Sequence, residues 1–211
     1  MSNDMRSRRS LLDGLSDVVG DLWGEDTLPS AAPAEPVYAA KPALPPFTKL
    51  WKIADEPIDW TEALASPTPT DGLTAPDKWA LYHTQAAAVL RGDTEAYLSV
   101  LRAANPMADL MPYVAALDVS TANADTLRAS FTVRSDLMEN NAREYLSGMA
   151  LRIARDLFAA LPVTNVNVTG KQDGTPLLTV SFQKAELNKV RFAFIDPVDF
   201  VLQSGGEFIQ E

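Results

Sequence analysis

For acid–base or metal chemistry this 211-residue chain offers one histidine, no cysteine and two small groups of carboxylates. The histidine, His83, follows Tyr82 within a stretch of helical periodicity. It reads as a hydrogen-bonded packing residue rather than a base. The lack of cysteine excludes disulfides, thiolate metal sites and cysteine nucleophiles, and a single histidine leaves no zinc site of the usual kinds. A serine triad would have to use His83, and no Gly-x-Ser-x-Gly elbow is present. No phosphate loop or dinucleotide fingerprint occurs either. Asp55, Glu56 and Asp59 cluster near Trp51 and Trp60, and Asp196 and Asp199 flank Pro197. Such carboxylates can act as acid and base if burial splits their pKa values, or can hold Mg²⁺ or Ca²⁺. Their spacing does not demand it. Asp196 ahead of Pro197 more simply starts a helix with proline at its first position. Both groups read as structural, and no catalytic residue, metal or cofactor is assigned.

A third group is a candidate ligand face. Thr126–Val133 alternates Leu127, Ala129, Phe131 and Val133 with Thr126, Arg128, Ser130 and Thr132, the period of a half-buried strand. Arg128, Ser130 and Thr132 could lie beside Asn165, Asn167 and Thr169 on one further strand and Thr179 and Ser181 on another. One cation among amides and hydroxyls suits a small polar ligand. A half-exposed antiparallel sheet shows a polar outer face by default, and that plainer reading is preferred. The face has no aromatic platform, which disfavours single-stranded nucleic acid.

The elements that must position these residues follow from periodicity and punctuation. Phe47, Leu50, Trp51, Ile53, Ile58 and Trp60 read as core. Ala65–Pro76 is a turn-rich connector. Asp77 is expected to cap a helix over Lys78–Leu90 with Trp79, Tyr82, Ala86, Val89 and Leu90 inward. Gly92 ends it, and Asp93 caps a second helix over Thr94–Ala104 carrying Tyr97, Leu98 and Leu101, so the two read as a helical hairpin. Strands are expected at Tyr113–Val119 and Thr126–Val133. Glu139–Leu161 reads as a long central helix, apolar except for a strip of Glu144, Arg152, Arg155 and Asp156. Val163–Thr169 and Pro176–Gln183 form a hairpin around "GKQDG", facing Val166 and Val168 inward with Leu178, Val180 and Phe182. Short helices close the chain. This order predicts an α+β fold: an N-terminal helical hairpin, then an antiparallel sheet (ββ-α-ββ) packed on one long helix.

Ahead of that domain the chain changes character. In Ser10–Glu25 the residues Leu11, Leu12, Leu15, Val18, Val19, Leu22 and Trp23 share one helical arc, while Asp13, Asp17, Asp21 and Glu25 follow at four-residue spacing on the other. Ser10 can cap the start. Gly14, Gly20 and Gly24 each cost up to ~1 kcal/mol relative to alanine, so this helix is marginal alone and should form where its apolar face finds a groove. The groove could belong to a membrane, to the protein's own domain, or to another protein or copy. The acidic face disfavours a membrane surface. Thr27–Pro46 carries prolines 29, 33, 36, 42, 45 and 46 and reads as a stiff spacer. Its 20 residues at ~3.1 Å each reach roughly 60 Å, which favours a partner. The expected organisation is a docking segment over 1–26, a linker over 27–46 and a single domain over 47–211.

The net charge is −10. Residues 1–46 hold four basic and seven acidic groups, and the remainder 14 and 21, so both parts are acidic. That disfavours nucleic acid, which is bound through Lys and Arg on phosphates. Arg6, Arg8 and Arg9 are followed by regularly spaced aspartates rather than an apolar signal core, so the sequon Asn167-Val-Thr169 carries little meaning. No run approaches the ~20 apolar residues of a membrane span. A cytoplasmic protein is expected.

"GDTEAYLSVLRAANPMADLMPY" (Gly92–Tyr113) and "IARDLFAALPVTNVNV" (Ile153–Val168), with "EPIDW" (Glu56–Trp60) and "FIDPVDF" (Phe194–Phe200), resemble a set of uncharacterised bacterial proteins that share a C-terminal domain of unknown function. The likeness covers about residues 47–202. The first 46 residues depart from it, lacking the usual N-terminal domain of that group, and the loop before the long helix is shorter. The resemblance implies one shared domain in a bacterial intracellular setting and transfers no catalytic residue.

The functional expectation is a non-enzymatic interaction or assembly protein that docks a partner protein through residues 10–25, with a homo-oligomer as one form. The alternatives are a carboxylate-dependent hydrolase and a regulator that binds a small polar ligand on the open sheet face, through Arg128, Ser130, Thr132, Asn165, Asn167 and Ser181.

Overall fold

The computed structural model describes residues 47–69, 74–138 and 141–209. The chain divides into two units, Met1–Ala43 and Leu44–Glu211. The expected docking segment and linker lie outside the described residues.

The second unit is an α+β fold with a five-stranded mixed sheet. Helices α1 (Phe47–Leu50), α2 (Trp60–Ala65), α3 (Pro76–Leu90) and α4 (Thr94–Ala104) come first, followed by a 3-10 helix over Ala108–Tyr113. Strands β1 (Val114–Asn123) and β2 (Thr126–Val133) follow, then α5 (Ser135–Met138) and the long α6 (Ala142–Ala160). Strands β3 (Asn165–Gln172) and β4 (Thr175–Gln183), helix α7 (Lys184–Leu187), a 3-10 turn at Phe192–Phe194, helix α8 (Pro197–Gln203) and β5 (Glu207–Phe208) complete it.

Local chemistry sets most boundaries. Asp93 accepts from the N–H groups of Glu95 and Ala96 and so starts α4. Gly92, at φ 78°, makes the turn before it, and a Cβ there would lie 2.8 Å from the Ala124 Cβ. Helix α3 starts earlier than expected: Pro76 takes the first position and Ala75 is the cap, so Asp77 sits inside the first turn. Its carboxylate still favours the positive end of the helix dipole. Two apolar residues expected inside are exposed. Leu90 ends α3 just before the Gly92 turn, and Ile53 follows the turn that closes α1.

The sheet order is β1-β2-β3-β4-β5. Within β1–β2 and β3–β4 the strands are antiparallel, as expected, but the central pair β2–β3 is parallel, with Thr126 beside Asn165 and Thr132 beside Lys171. This corrects the all-antiparallel expectation. The reason is length. At about 1.5 Å per residue α6 spans nearly 30 Å, comparable to a strand of eight residues. The helix therefore returns the chain to the end where β2 began, and β3 must run the same way. The N–H groups of Thr164 and Asn165 fasten that return to the Asp125 carbonyl.

The core lies between one sheet face and α6. Leu127, Phe131, Val166, Val168, Val180 and Phe182 point inward from the strands, and Leu146, Met149, Ile153 and Leu157 meet them from the helix. Trp51 and Trp60 are buried, as expected, and the Trp60 indole N–H donates to the Ala160 carbonyl.

The charged strip expected along α6 is not a solvent face. Arg152 is 2% exposed and Asp156 is fully buried. Arg152 Nε donates to Asp156 Oδ2 at 2.6 Å, Nη2 to Asp109 at 3.0 Å, and Nη1 points to the Leu50 carbonyl at 3.5 Å. The other oxygen of Asp156 accepts from the Asp55 N–H at 3.2 Å. Arg155 Nη1 donates to the Trp51 carbonyl. These bonds hold α1, residues 51–55 and the 3-10 helix before β1 against α6.

Burial pushes Asp156 up from 3.8 to about 6, against the opposing pull of Arg152. The folded state therefore holds the extra proton, and this group's contribution to stability declines as pH rises through about 4 to 6. Replacing Arg152 by methionine leaves the buried carboxylate without its cation. The expected cost at pH 8 is about 3–5 kcal/mol. At pH 5 the loss should be smaller, because Asp156 can take a proton. Urea unfolding of Arg152→Met at the two pH values checks both the size and the sign.

Candidate functional site

The open face of the sheet gathers the expected polar residues. Strand register places Ser120, Arg128, Asn167 and Ser181 in one row across β1 to β4. A second row runs Asp118, Ser130, Thr169, Thr179 and Glu207. Thr132 stands beside Lys171, and Asn165 beside Thr126 and Gln183 at the other end. Arg128, Ser130, Thr132, Asn165, Asn167 and Ser181 thus share one face, because strand residues two apart point the same way. Ser181 Oγ donates to Asn167 Oδ1 at 2.7 Å, and the Asn165 amide turns to Thr164. The face carries Arg128 and Lys171 against Asp118 and Glu207, so its charge is balanced.

The carboxylates are placed differently. Asp59 caps α2 by accepting from the N–H groups of Thr61 and Glu62, both at 2.9 Å. Asp196 caps α8 in the same way through Val198 and Asp199, with Pro197 at the first helical position. Asp199 sits in that first turn. His83 Nδ1–H donates to the Ala63 carbonyl at 2.7 Å and ties α3 to α2. A carbonyl oxygen only accepts, so this nitrogen carries the proton. Among the described residues no three His, Asp or Glu side chains gather as a metal site.

Residues Asp55–Pro57 border two cavities. One, of about 430 Å³, is lined by Asp55, Glu56, Asp59 and Glu62 with Lys78 and Tyr82. Lys78 Nζ stands 5.9 Å from the centre of the Tyr82 ring. The other, of about 310 Å³, holds Arg155 and Lys184. Lys184 was not singled out by any sequence motif. Arg155 belongs to the charged strip expected on the long central helix. The only available signal was a cation, Lys184, directly after an alternating strand.

Comparison with protein-family models, curated proteins and solved structures gave no match. Among the described residues no helix is long and apolar enough to cross a membrane.

The cap at Asp59 has a direct test. Asp59→Ala should lower stability by about 1 kcal/mol, while Asp59→Asn, an equally good cap, should stay within about 0.5 kcal/mol of the parent. Denaturant midpoints of the two variants separate a capping carboxylate from one kept only for its charge.

Proposed function

We propose that the protein is a non-enzymatic interaction or assembly protein. Its α+β domain, in which α3 and α4 serve as a helical hairpin before the sheet, is joined through a proline-rich spacer to a docking segment at residues 10–25. The observation that carries this reading is the complete separation of Leu11, Leu12, Leu15, Val18, Val19, Leu22 and Trp23 from Asp13, Asp17, Asp21 and Glu25. An apolar stripe at helical spacing anchors in a hydrophobic groove, and the acidic face selects a groove rimmed by Lys or Arg. The use of Asp59 and Asp196 as helix caps supports a binding role over a carboxylate hydrolase. The resemblance to bacterial proteins with a shared domain of unknown function fits a cytoplasmic setting, and the partner is another protein.

A second reading rests on the row Arg128, Asn167 and Ser181. There a guanidinium lies beside a hydrogen-bonded amide–hydroxyl pair on the open face, suited to a small polar ligand.

The test uses the full chain. Leu15→Asp with Val18→Asp should abolish capture of a defined partner from the native host. Its thermal unfolding midpoint should match the parent. Retention of the same partner by the double variant would refute docking through this stripe.

A further inference from the structure

The 310 Å³ cavity lies between residues 54–57, the last turns of α6, and α7 with the chain that follows it. Two cations, Arg155 and Lys184, line it, and both are partly buried. Neither has a carboxylate within bonding distance among the described residues. Lys184 Nζ donates to the Phe158 carbonyl at 2.8 Å, and its two other donors have no protein partner among the described residues. Arg155 donates through Nη1 alone, to the carbonyls of Trp51 and Ile53, and its guanidinium stacks 3.9 Å over the Phe192 ring. Phe158 follows Arg155 by one helical turn, so the two cations approach the cavity from adjacent points.

Both cations carry the cost of partial burial: desolvation lowers the Lys184 ammonium and the Arg155 guanidinium from their usual values. The nearest acid in sequence, Asp156, is already taken by Arg152 and the Asp55 N–H. Asp55 and Glu56 also border the cavity, but both are exposed. The Asp55 charge acts on Tyr82 and Asp156. A chain with net charge −10 thus lines this cavity with two partly desolvated cations, neither of them ion-paired with a carboxylate among the described residues, although the Asp156 charge acts on Arg155. Phe158, Leu187 and Phe192 form an apolar part of the wall, next to the polar Asn188.

We propose that this cavity binds a small organic anion, with a carboxylate or phosphate group between Arg155 and Lys184 and an apolar body against Phe158, Leu187 and Phe192. An anion takes up donors that now meet only backbone carbonyls, and charge-assisted bonds in a partly dry site are the strong ones. The volume suits a single aromatic or short aliphatic body rather than a polymer. This site shares no residue with the open sheet face.

Phenyl phosphate and benzoate test the two headgroups, and benzyl alcohol supplies the same body without charge. Titration calorimetry on the full chain should give saturable one-site binding of at least one anion, with the alcohol about tenfold weaker or worse. Lys184→Met, which keeps the stem and removes the charge, should weaken the anion about tenfold or more. Arg91→Ala, at the exposed end of α3, should leave it unchanged. Preference for one anion would identify the headgroup. Absence of saturation by both anions up to about 10 mM would overturn the proposal. So would equal binding of the alcohol, or full affinity in a folded Lys184→Met. The comparison of charged and uncharged probes uses the parent protein and does not depend on any variant folding.

Discussion

The buried pair Arg152–Asp156 is the constraint around which the first half of the domain is arranged. Two charges removed from water are costly unless every donor and acceptor finds a partner. Here the guanidinium reaches Asp156, Asp109 and the Leu50 carbonyl, while the second oxygen of Asp156 takes the Asp55 N–H. Those partners lie about 40 to 100 residues away in the chain, apart from the one on the same helix. A sequence-distant backbone is therefore held in register with α6. Any slip of α1, or of the 3-10 helix before β1, would strand a charge. The apolar core supplies the driving force; the ion pair narrows the ways in which it can be satisfied.

The same helix shows what could and could not be read from sequence. Signals confined to a few neighbouring residues were legible. Gly92-Asp93 ended one helix and began the next, Asp196-Pro197 began α8, and the alternation in Thr126–Val133 gave β2 with its inward and outward faces. The gathering of Arg128, Asn167 and Ser181 on one face followed from the same period of two. The strip holding Arg152 and Asp156 is visible in the sequence, but its burial is not, because four-residue spacing looks the same on a solvated face and on a buried one. Only the surrounding elements decide between them. The parallel pairing of β2 with β3 was hidden for a similar reason: each hairpin specifies its own pairing, and neither specifies how the two meet. Lys184 and Arg155 share a cavity through tertiary packing alone, with no motif joining them.

The electrostatics of the domain are sorted by place rather than by total. Asp59 and Asp196 are engaged with helix N–H groups, and Asp156 with an arginine, so much of the acidic chemistry is committed to holding the fold. What remains falls into three environments: a balanced polar sheet face, an acidic cavity beside Tyr82, and a cavity on the other border of Asp55–Pro57 where Arg155 and Lys184 are partly buried while Asp55 and Glu56 stay exposed. A net negative molecule that partly buries two cations in one cavity wall can discriminate between solutes by sign as well as by shape.

The parallel junction at the sheet centre also has a kinetic consequence. β1–β2 and β3–β4 are closed by tight turns at Ala124–Asp125 and Asp173–Gly174, and isolated hairpins of this kind form in about 1–10 μs. The contacts between β2 and β3 join residues about 40 positions apart, and no short turn can bring them together. The intervening chain must first become helix α6 and lie across both ribbons. The topology predicts two fast local events and one slow non-local one, with docking of the ribbons through their shared helix as the slow step. Residues at that seam, such as Gly170 beneath Phe131 and Leu146, bear on how fast the protein folds as well as on how firmly it holds.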